Sequence, residues 1–166
     1  MRQKIFTFFF GLTFFLMSSQ NDKPDRSPYT LNLSVDSIQF YQQDVKQTPY
    51  FVKENILQIY PGEKVFIEIE MDKKGIKSMK TVSCNLNPEK TITIELTQHT
   101  KEKKHNFMML KIDRKFKGQL DYKALMYIVG HDKWIPTNVL PVKANGAYET
   151  WPDIIISLVL SDWKLE

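Results

Sequence analysis

The sequence has a single cysteine, Cys84, among its 166 residues. An intramolecular disulfide is therefore excluded, and a domain of this size has to be held together by its hydrophobic core. Cys84 alternates with Val82 and Leu86. This alternation predicts that the thiol is buried as a small apolar group and does not act as a nucleophile.

The sequence also lacks a large excess of charge of either sign. Its 23 Lys and Arg residues are nearly balanced by 19 Asp and Glu residues, which gives a formal net charge of +4. Arg2 and Lys4, at the extreme N-terminus, supply part of that charge. Because a dedicated nucleic-acid-binding protein carries a much stronger positive imbalance, the composition argues against nucleic acid as the partner.

No apolar run in the chain reaches the ~20 residues that are needed to span a membrane. The N-terminal run, residues 5–17, is shorter, follows two basic residues and precedes small serines. This layout predicts a cleavable signal peptide over residues 1–19 rather than a membrane anchor, and hence a secreted, periplasmic or cell-surface protein. After cleavage we expect no stable membrane span, since the best later candidate, residues 154–160, is short and interrupted by Ser157.

Polar residues and two prolines fill residues 20–28, which predicts a flexible leader before a folded domain over residues 29–166. Within that domain, apolar residues recur at every second position, the pattern of strands with one buried face. The clearest stretches are Val65, Ile67 and Ile69; Ile92, Ile94 and Leu96; and Met108, Leu110 and Ile112.

Two segments are less regular. Residues 31–40 alternate with one slip in phase, which predicts a strand with a bulge near Asp36 and Ser37. Residues 48–60 leave two alternatives open. Thr48 and Pro49 could begin a short helix, or the second half of the segment could form a strand.

Two further segments, residues 120–129 and 154–160, are apolar on both faces. Both predict strands in the interior of a sheet. In the second segment, simple alternation assigns one face to Ile154, Ile156, Leu158 and Leu160, and the other face to Ile155 and Val159.

Roughly seven to nine short strands with little helix predict an all-β, antiparallel two-sheet sandwich. Residues 60–67 (Tyr-Pro-Gly-Glu-Lys-Val-Phe-Ile) resemble the turn into the second strand of bacterial secreted immunoglobulin-like and fibronectin-III-like domains. Residues 120–124 (Leu-Asp-Tyr-Lys-Ala) resemble their tyrosine corner. The resemblance covers about residues 29–166 and implies an immunoglobulin-like sandwich. Paired cysteines and a third-strand core Trp are missing, so the resemblance implies an architecture rather than a function.

Histidines suggest two possible polar sites. His99 and His105 flank a lysine-rich loop in which Glu102 is the one further ligand, and a zinc site needs more than these. His131 and Asp132 follow the predicted central strand and suggest acid–base chemistry, but no activated nucleophile accompanies them. We therefore predict no metal site, no cofactor and no catalytic residue, and we interpret both segments as solvated turns.

Clusters of like charge have a similar explanation. Glu68 and Glu70 share one strand face near Glu95, a grouping that a glycoside hydrolase could use but that more often marks the wet face of a sheet. Lysines and one arginine cluster in three segments: Lys73, Lys74, Lys77 and Lys80; Lys101, Lys103 and Lys104; and Lys111, Arg114, Lys115 and Lys117. Gathered at one pole they could bind a polyanion, but interspersed acids favour solvated turns.

Trp134, Tyr148 and Trp151 lie in residues 130–152, which we predict to be a long irregular loop. Exposed rings there could stack on a sugar or form the hot spot of a protein interface; alternatively, they could pack over the open end of the core. These three residues are the candidate binding site.

The sequence thus predicts an exported, non-catalytic binding module that recognises a protein or a glycan at the cell envelope or outside the cell. One alternative is a structural or assembly component of the envelope, joined to a partner through an exposed strand edge. A hydrolase is the third hypothesis, because a sandwich can carry a grafted site.

Overall fold

The computed structural model describes residues 21–73, 75–143 and 146–166. In these ranges the chain forms twelve strands and one turn of 3-10 helix at Pro88–Lys90. The strands are β1 (Tyr29–Ser34), β2 (Phe40–Val45), β3 (Phe51–Lys53), β4 (Ile56–Ile59), β5 (Lys64–Asp72), β6 (Gly75–Val82), β7 (Thr91–Lys101), β8 (Lys104–Arg114), β9 (Leu120–Ile128), β10 (Ile135–Thr137), β11 (Ala147–Trp151) and β12 (Ile155–Leu165). No helix in this described part is long and apolar enough to cross a membrane. The predicted signal peptide, residues 1–19, lies outside the described residues.

Two five-stranded antiparallel sheets enclose the core. The front sheet has the strand order β11-β8-β7-β5-β6, and the back sheet has the order β10-β9-β12-β4-β3. β1 and β2 form a separate two-stranded sheet. The predicted all-β, antiparallel sandwich is confirmed. It has more strands than predicted because the segment 130–152, assigned to a loop, contains β10 and β11, and the segment 48–60 contains both β3 and β4.

The core lies between the two sheets and follows directly from the period-two pattern. Side chains on a strand alternate between its faces, so an apolar residue at every second position gives one apolar face. In β5, β7 and β8 the inward residues are Val65, Ile67, Ile69, Ile92, Ile94, Leu96, Met108, Leu110 and Ile112. The strands predicted at these positions are confirmed.

The hairpin of β1 and β2 covers the outer face of the back sheet. Leu31, Leu33 and Val45 pack on Ile156 of β12, and all four side chains are buried. The back sheet therefore has apolar residues on both of its faces, and only its inner face belongs to the main core.

A turn separates β1 from β2, so the bulge predicted near Asp36 and Ser37 is wrong. The Asp36 carboxylate accepts hydrogen bonds from the backbone N–H groups of Ile38 and Gln39, both at 2.8 Å. An Asp side chain that satisfies backbone donors two and three residues ahead closes a reversal of the chain. The alternation of apolar residues slips by one position near Asp36 because the chain turns there from β1 into β2.

The segment 48–60, for which helix and strand were both open, forms β3 and β4 and contains no helix. Leu57 and Ile59 are fully buried and alternate with Gln58, as a strand requires. The turn between the strands places Glu54 at a positive φ of 26°.

The last strand lies between β9 and β4, and β9 lies between β10 and β12, so both predicted interior positions are confirmed. The predicted facing of the last strand is wrong at its start. The register against β9 shifts between Ile155 and Ser157, and this bulge turns Ile155 into the main core together with Leu158. Ile156 faces the β1–β2 hairpin instead.

Residues 21–26 form an N-terminal strap that crosses from the front sheet to the back sheet. The Lys23 N–H donates to Thr81 O at 3.0 Å, beside β6. Further along, the Tyr50 N–H donates to Pro24 O at 2.9 Å, beside β3. The flexible leader predicted over residues 20–28 is therefore wrong for the described residues 21–28, because backbone bonds and a buried side chain hold the segment against the domain.

That buried side chain is Arg26, which is 1% exposed. Its Nε donates to Glu63 Oε1 at 2.9 Å, and the Glu63 side chain is itself buried. Nη1 donates to Thr48 Oγ1 at 2.6 Å and to Pro49 O at 3.0 Å, and Nη2 donates to Gln58 O at 2.7 Å. Since a guanidinium is acceptable in a protein interior only when it is paired and hydrogen-bonded, this set of partners fixes the strap.

Aromatic rings complete the surroundings of the ion pair. The guanidinium carbon of Arg26 lies 4.7 Å from the ring centre of Tyr50 and 5.1 Å from that of Tyr60. The second carboxylate oxygen of Glu63 accepts a hydrogen bond from the Tyr60 N–H at 2.9 Å. The strap, the segment before β3 and the turn before β5 therefore meet at one charged pair.

We expect Arg26→Ala to lower the free energy of unfolding by about 3–5 kcal/mol, because it leaves the buried Glu63 carboxylate without its counter-charge. The double variant Arg26→Met with Glu63→Gln should lose less. Lys80→Ala is the control, since it breaks the exposed Lys80–Asp22 pair of 2.8 Å and should cost less than about 1 kcal/mol. Urea unfolding followed by tryptophan fluorescence measures all three; equal losses for Arg26→Ala and Lys80→Ala would contradict the assignment.

Candidate functional site

The segment 130–152, predicted as one irregular loop, contains the edge strands β10 and β11. Trp151 ends β11 and is 8% exposed. Its indole N–H donates to Thr137 Oγ1 of β10 at 3.0 Å, so it links the edges of the two sheets. Trp151 therefore belongs to the core and does not form part of an exposed binding surface.

The other two aromatic candidates lie on different faces of the molecule. Trp134 is 41% exposed and contacts Tyr127, with ring centres 5.4 Å apart, on the hairpin side of the back sheet. Tyr148 is 73% exposed and alternates with the inward Ala147, so it faces outward from the front sheet. The structure does not bring Trp134, Tyr148 and Trp151 together, because the segment crosses from one sheet to the other.

His99 and His105 also lie on different sides of their strand pair. The His99 ring stacks on Phe107 with centres 4.5 Å apart and an interplanar angle of 11°. His105 instead lies 3.0 Å from Gln98 Nε2 through Nδ1 and 2.9 Å from Pro152 O through Nε2. The tautomer protonated at Nε2 satisfies both contacts. The two imidazoles therefore do not converge, and no three potential metal-ligating side chains cluster within the described ranges.

Cys84 is exposed, so the prediction of a buried thiol is wrong. β6 ends at Val82, and Cys84 follows in the loop before β7 rather than in the strand. The Asn21 side chain holds this loop: its Oδ1 accepts the Cys84 N–H at 3.0 Å, and its Nδ2 donates to Cys84 O at 2.9 Å.

The acidic candidates have separate contacts. Glu68 accepts a hydrogen bond from Asn87 Nδ2 at 2.7 Å, and Glu70 accepts one from Ser78 Oγ at 3.0 Å. Glu95 lies 3.6 Å from Lys64 Nζ. His131 is exposed in the connection between β9 and β10, away from these strands. No shared arrangement of acid, base and nucleophile connects these four residues.

The basic clusters do not gather at one pole. The β7–β8 turn carries Lys101 and Lys104, whereas the β5–β6 turn lies at the opposite end of the front sheet, since β5 and β7 are antiparallel. Arg114, grouped with a third cluster, is 3% exposed, and its guanidinium donates to the carbonyl oxygens of Phe116, Gly118 and Val142. Burial lowers the pKa of Arg114.

A loop covers only part of one half of the outer face of the front sheet. There the loop before β7 lies over β5, held by the bond from Asn87 to Glu68 and by a bond of 2.7 Å from Thr91 Oγ1 to Asn87 O. The other half is open. We call this open half the front platform; its residues are Glu95, Thr97, His99, Phe107, Met109, Lys111, Tyr148 and Thr150.

The front platform mixes rings and a thioether with polar groups. Cross-strand pairing sets Lys111 between Glu95 and Tyr148, and Met109 between Thr97 and Thr150. His99 Nε2 lies 3.2 Å from Thr97 Oγ1. Rings that stack on a flat ligand, next to groups that donate and accept hydrogen bonds, give a surface that can bind without carrying out a reaction.

Charges on the front platform are paired along the sheet. Lys111 Nζ lies 2.9 Å from Asp113 Oδ2, and this hydrogen bond raises the pKa of the Lys111 ammonium group. Lys111 pairs with Tyr148 across the strands, so the same face of the sheet carries an ammonium donor next to this tyrosine position.

A groove of about 530 Å³ runs beside β11, at the margin of the front platform, and Leu140 and Tyr148 line it. The Leu140 side chain is 70% exposed, and the Leu140 N–H donates to Glu149 Oε1 at 2.7 Å. Glu149 faces inward: burial, and to a lesser extent the Glu149 charge, raise the pKa of Tyr122 in the core. The lining of the groove combines apolar residues such as Leu140 and Ala147 with the charged Lys143 and Glu149.

Comparison with known protein families, curated proteins and solved structures gives no match to this chain. The sandwich of antiparallel sheets is compatible with an immunoglobulin-like fold, and this compatibility rests on architecture alone. Arguments about function therefore depend on the surface of this chain.

Sequence reasoning missed most of the front platform. Phe107 and Met109 occupy positions of β8 between the inward residues Met108 and Leu110, and the alternation alone assigns them to the solvent side. Two large apolar residues on a face assigned to water are the signal that could have identified the surface.

We expect Trp151→Ala to lower the free energy of unfolding by about 3–5 kcal/mol, because it empties a core position. Trp134→Ala removes one ring contact at the surface and should cost about 1 kcal/mol. Urea unfolding of both variants measures the difference. Equal losses would mean that the two side chains are buried alike.

Proposed function

We propose that this protein is an exported, non-catalytic binding module that recognises a protein or a glycan at the cell envelope or outside the cell. The front platform is the proposed binding surface. The observation that carries the proposal is the asymmetry of the sandwich: the β1–β2 hairpin covers the outer face of the back sheet, whereas half of the front sheet is open and displays Tyr148 at 73% exposure.

The chemistry of the front platform supports a ligand with both flat apolar and hydroxyl-bearing parts. The stacked His99 and Phe107 rings and the Tyr148 ring offer faces for stacking. Thr97 and Thr150 offer hydroxyl groups, and Lys111 offers an ammonium group. Sugar rings and the polar rim of a protein surface both present this combination.

Export to the envelope follows from the predicted signal peptide, and a bacterial secreted immunoglobulin-like domain is the type of module proposed. Such sandwiches carry their function in surface patches rather than in a buried site. His131 lies in the connection between β9 and β10 of the back sheet, away from Glu68 and Glu70 of β5, and this separation supports a role in binding rather than hydrolysis.

A structural or assembly component of the envelope is the second candidate. β11 is an edge strand that pairs with β8 on one side only, and its other side offers backbone groups to a further strand. In this case the ligand is a polypeptide strand, and it binds at the edge rather than on the face of the sheet.

Tyr148→Ala should weaken ligand binding about tenfold, because an exposed interface tyrosine acts as an anchor. Phe40→Ala is the matched control: Phe40 is an aromatic residue, 51% exposed, on β2 and outside the front platform. The protein purified from the exported fraction would be titrated against glycan and envelope-protein arrays. Equal binding by both variants, with the fold intact by circular dichroism, would reject the front platform as the site.

A further inference from the structure

Gln98 of β7 joins the β1–β2 hairpin to the front sheet. Its side chain makes two hydrogen bonds with the backbone of Ser34, the last residue of β1. Oε1 accepts the Ser34 N–H at 2.9 Å, and Nε2 donates to Ser34 O at 2.8 Å. Because one bond needs an acceptor and the other a donor, the two bonds together decide which end of the amide carries the NH2 group. The orientation of the Gln98 amide is therefore set by Ser34.

The same NH2 group also contacts the partly buried imidazole of His105 on β8. Gln98 Nε2 lies 3.0 Å from His105 Nδ1, and His105 Nε2 lies 2.9 Å from Pro152 O. Since an NH2 group only donates and a carbonyl oxygen only accepts, Nδ1 has to be an acceptor and Nε2 a donor. Only the neutral imidazole has one nitrogen of each kind. These contacts therefore fit one protonation state of His105.

We propose that His105 is a pH-sensitive switch, which holds the Ser34 end of the hairpin on the front sheet when its ring is neutral and releases it when the ring takes up a proton. A protonated ring carries a hydrogen on Nδ1, which would face the NH2 group of Gln98. Turning the amide over would relieve this conflict, but it would place the NH2 group against the Ser34 N–H and the oxygen against Ser34 O. Either orientation of the amide therefore loses hydrogen bonds when His105 is charged.

The charged groups around this contact come from each of the elements that meet there. Lys104 precedes His105 on β8, Lys101 pairs with Lys104 from β7, and Asp153 follows Pro152 before β12. Asp36 lies in the turn after Ser34, and backbone hydrogen bonds are the main cause that lowers its pKa. Asp36 therefore stays ionised in mild acid. Histidine is the side chain whose charge ordinarily changes between about pH 5 and about pH 8.

Protonation should release only one end of the hairpin. Leu31, Leu33 and Val45 pack on Ile156 of the back sheet, and these apolar contacts do not depend on the charge of a histidine. The contact of Ser34 with the front sheet is complete while the ring is neutral, so it is present near neutral pH and is lost as the pH falls. In acid we therefore expect Ser34 and the turn after it to move away from β7 while the apolar part of the hairpin stays in place.

Amide hydrogen exchange of the exported protein, followed by NMR and corrected for the intrinsic effect of pH on exchange, tests the switch. We expect the protection of the Ser34 amide to fall about tenfold between about pH 7.5 and about pH 5.5, the loss that one or two hydrogen bonds would give. The Tyr50 amide, which donates to Pro24 O at 2.9 Å, is the internal reference. Its protection should stay constant, because no histidine takes part in that bond.

Three variants assign the response to His105. His105→Gln has a side chain that does not take up a proton, so the pH response at Ser34 should disappear. His99→Gln is the matched control and should keep the response, since His99 stacks on Phe107 on the other side of the strand pair. Gln98→Glu should reverse the response, because a carboxylate accepts hydrogen bonds from both the Ser34 N–H and the protonated ring, so acid would strengthen the contact.

Protection at Ser34 that does not change with pH would overturn the inference, and so would the same pH response in His105→Gln as in the unaltered protein. Equal losses at Ser34 and Tyr50 would overturn it as well, since acid would then unfold the domain as a whole. The switch is separate from the front platform. Tyr148→Ala should therefore leave the pH response at Ser34 unchanged, whatever it does to ligand binding.

Discussion

The ion pair between Arg26 and Glu63 is the contact on which the arrangement of the outer layers depends. The Arg26 guanidinium is 1% exposed, so protein acceptors have to replace its hydrogen bonds to water. These acceptors come from three separate segments of the chain. β1 begins three residues after Arg26, so the fixed strap determines where the β1–β2 hairpin can reach. The hairpin lies on the back sheet, and the front sheet is consequently the one with an open face.

The sequence predicts the central strands of the front sheet well because their inward positions alternate strictly. β5 and β7 follow from period two alone, since each buries one face against the opposite sheet. The strap could not be predicted in the same way. A polar, proline-containing segment with one arginine has the composition of a linker, and the acceptors that bury Arg26 lie between Thr48 and Glu63, far from it in sequence. The composition of a segment does not show which distant residues its side chains will contact in the folded domain.

The candidate site shows a second limit of sequence patterns. Closeness in sequence suggested one group of Trp134, Tyr148 and Trp151, but the chain crosses between sheets within that segment and distributes the rings over two faces and the core. The faces of Ile155 and Ile156 were predicted wrongly for a related reason. A bulge of one residue exchanges the inward and outward positions of a strand, and the amino-acid composition of the strand does not reveal it. Where no crossing or bulge intervenes, as in β8 from Phe107 to Arg114, the faces follow directly from the sequence.

The position of Arg26 near the start of the chain has a consequence for the order in which the domain assembles. Its acceptors Thr48, Gln58 and Glu63 all come later, and the contact of the strap with β6 is with Thr81, later still. A chain that is synthesised from its N-terminus therefore carries the strap, with two basic and two acidic side chains, without these tertiary contacts until the residues up to Thr81 have followed. The β1–β2 hairpin that follows the strap packs on Ile156 of β12, so this outer layer closes only after the last strand exists.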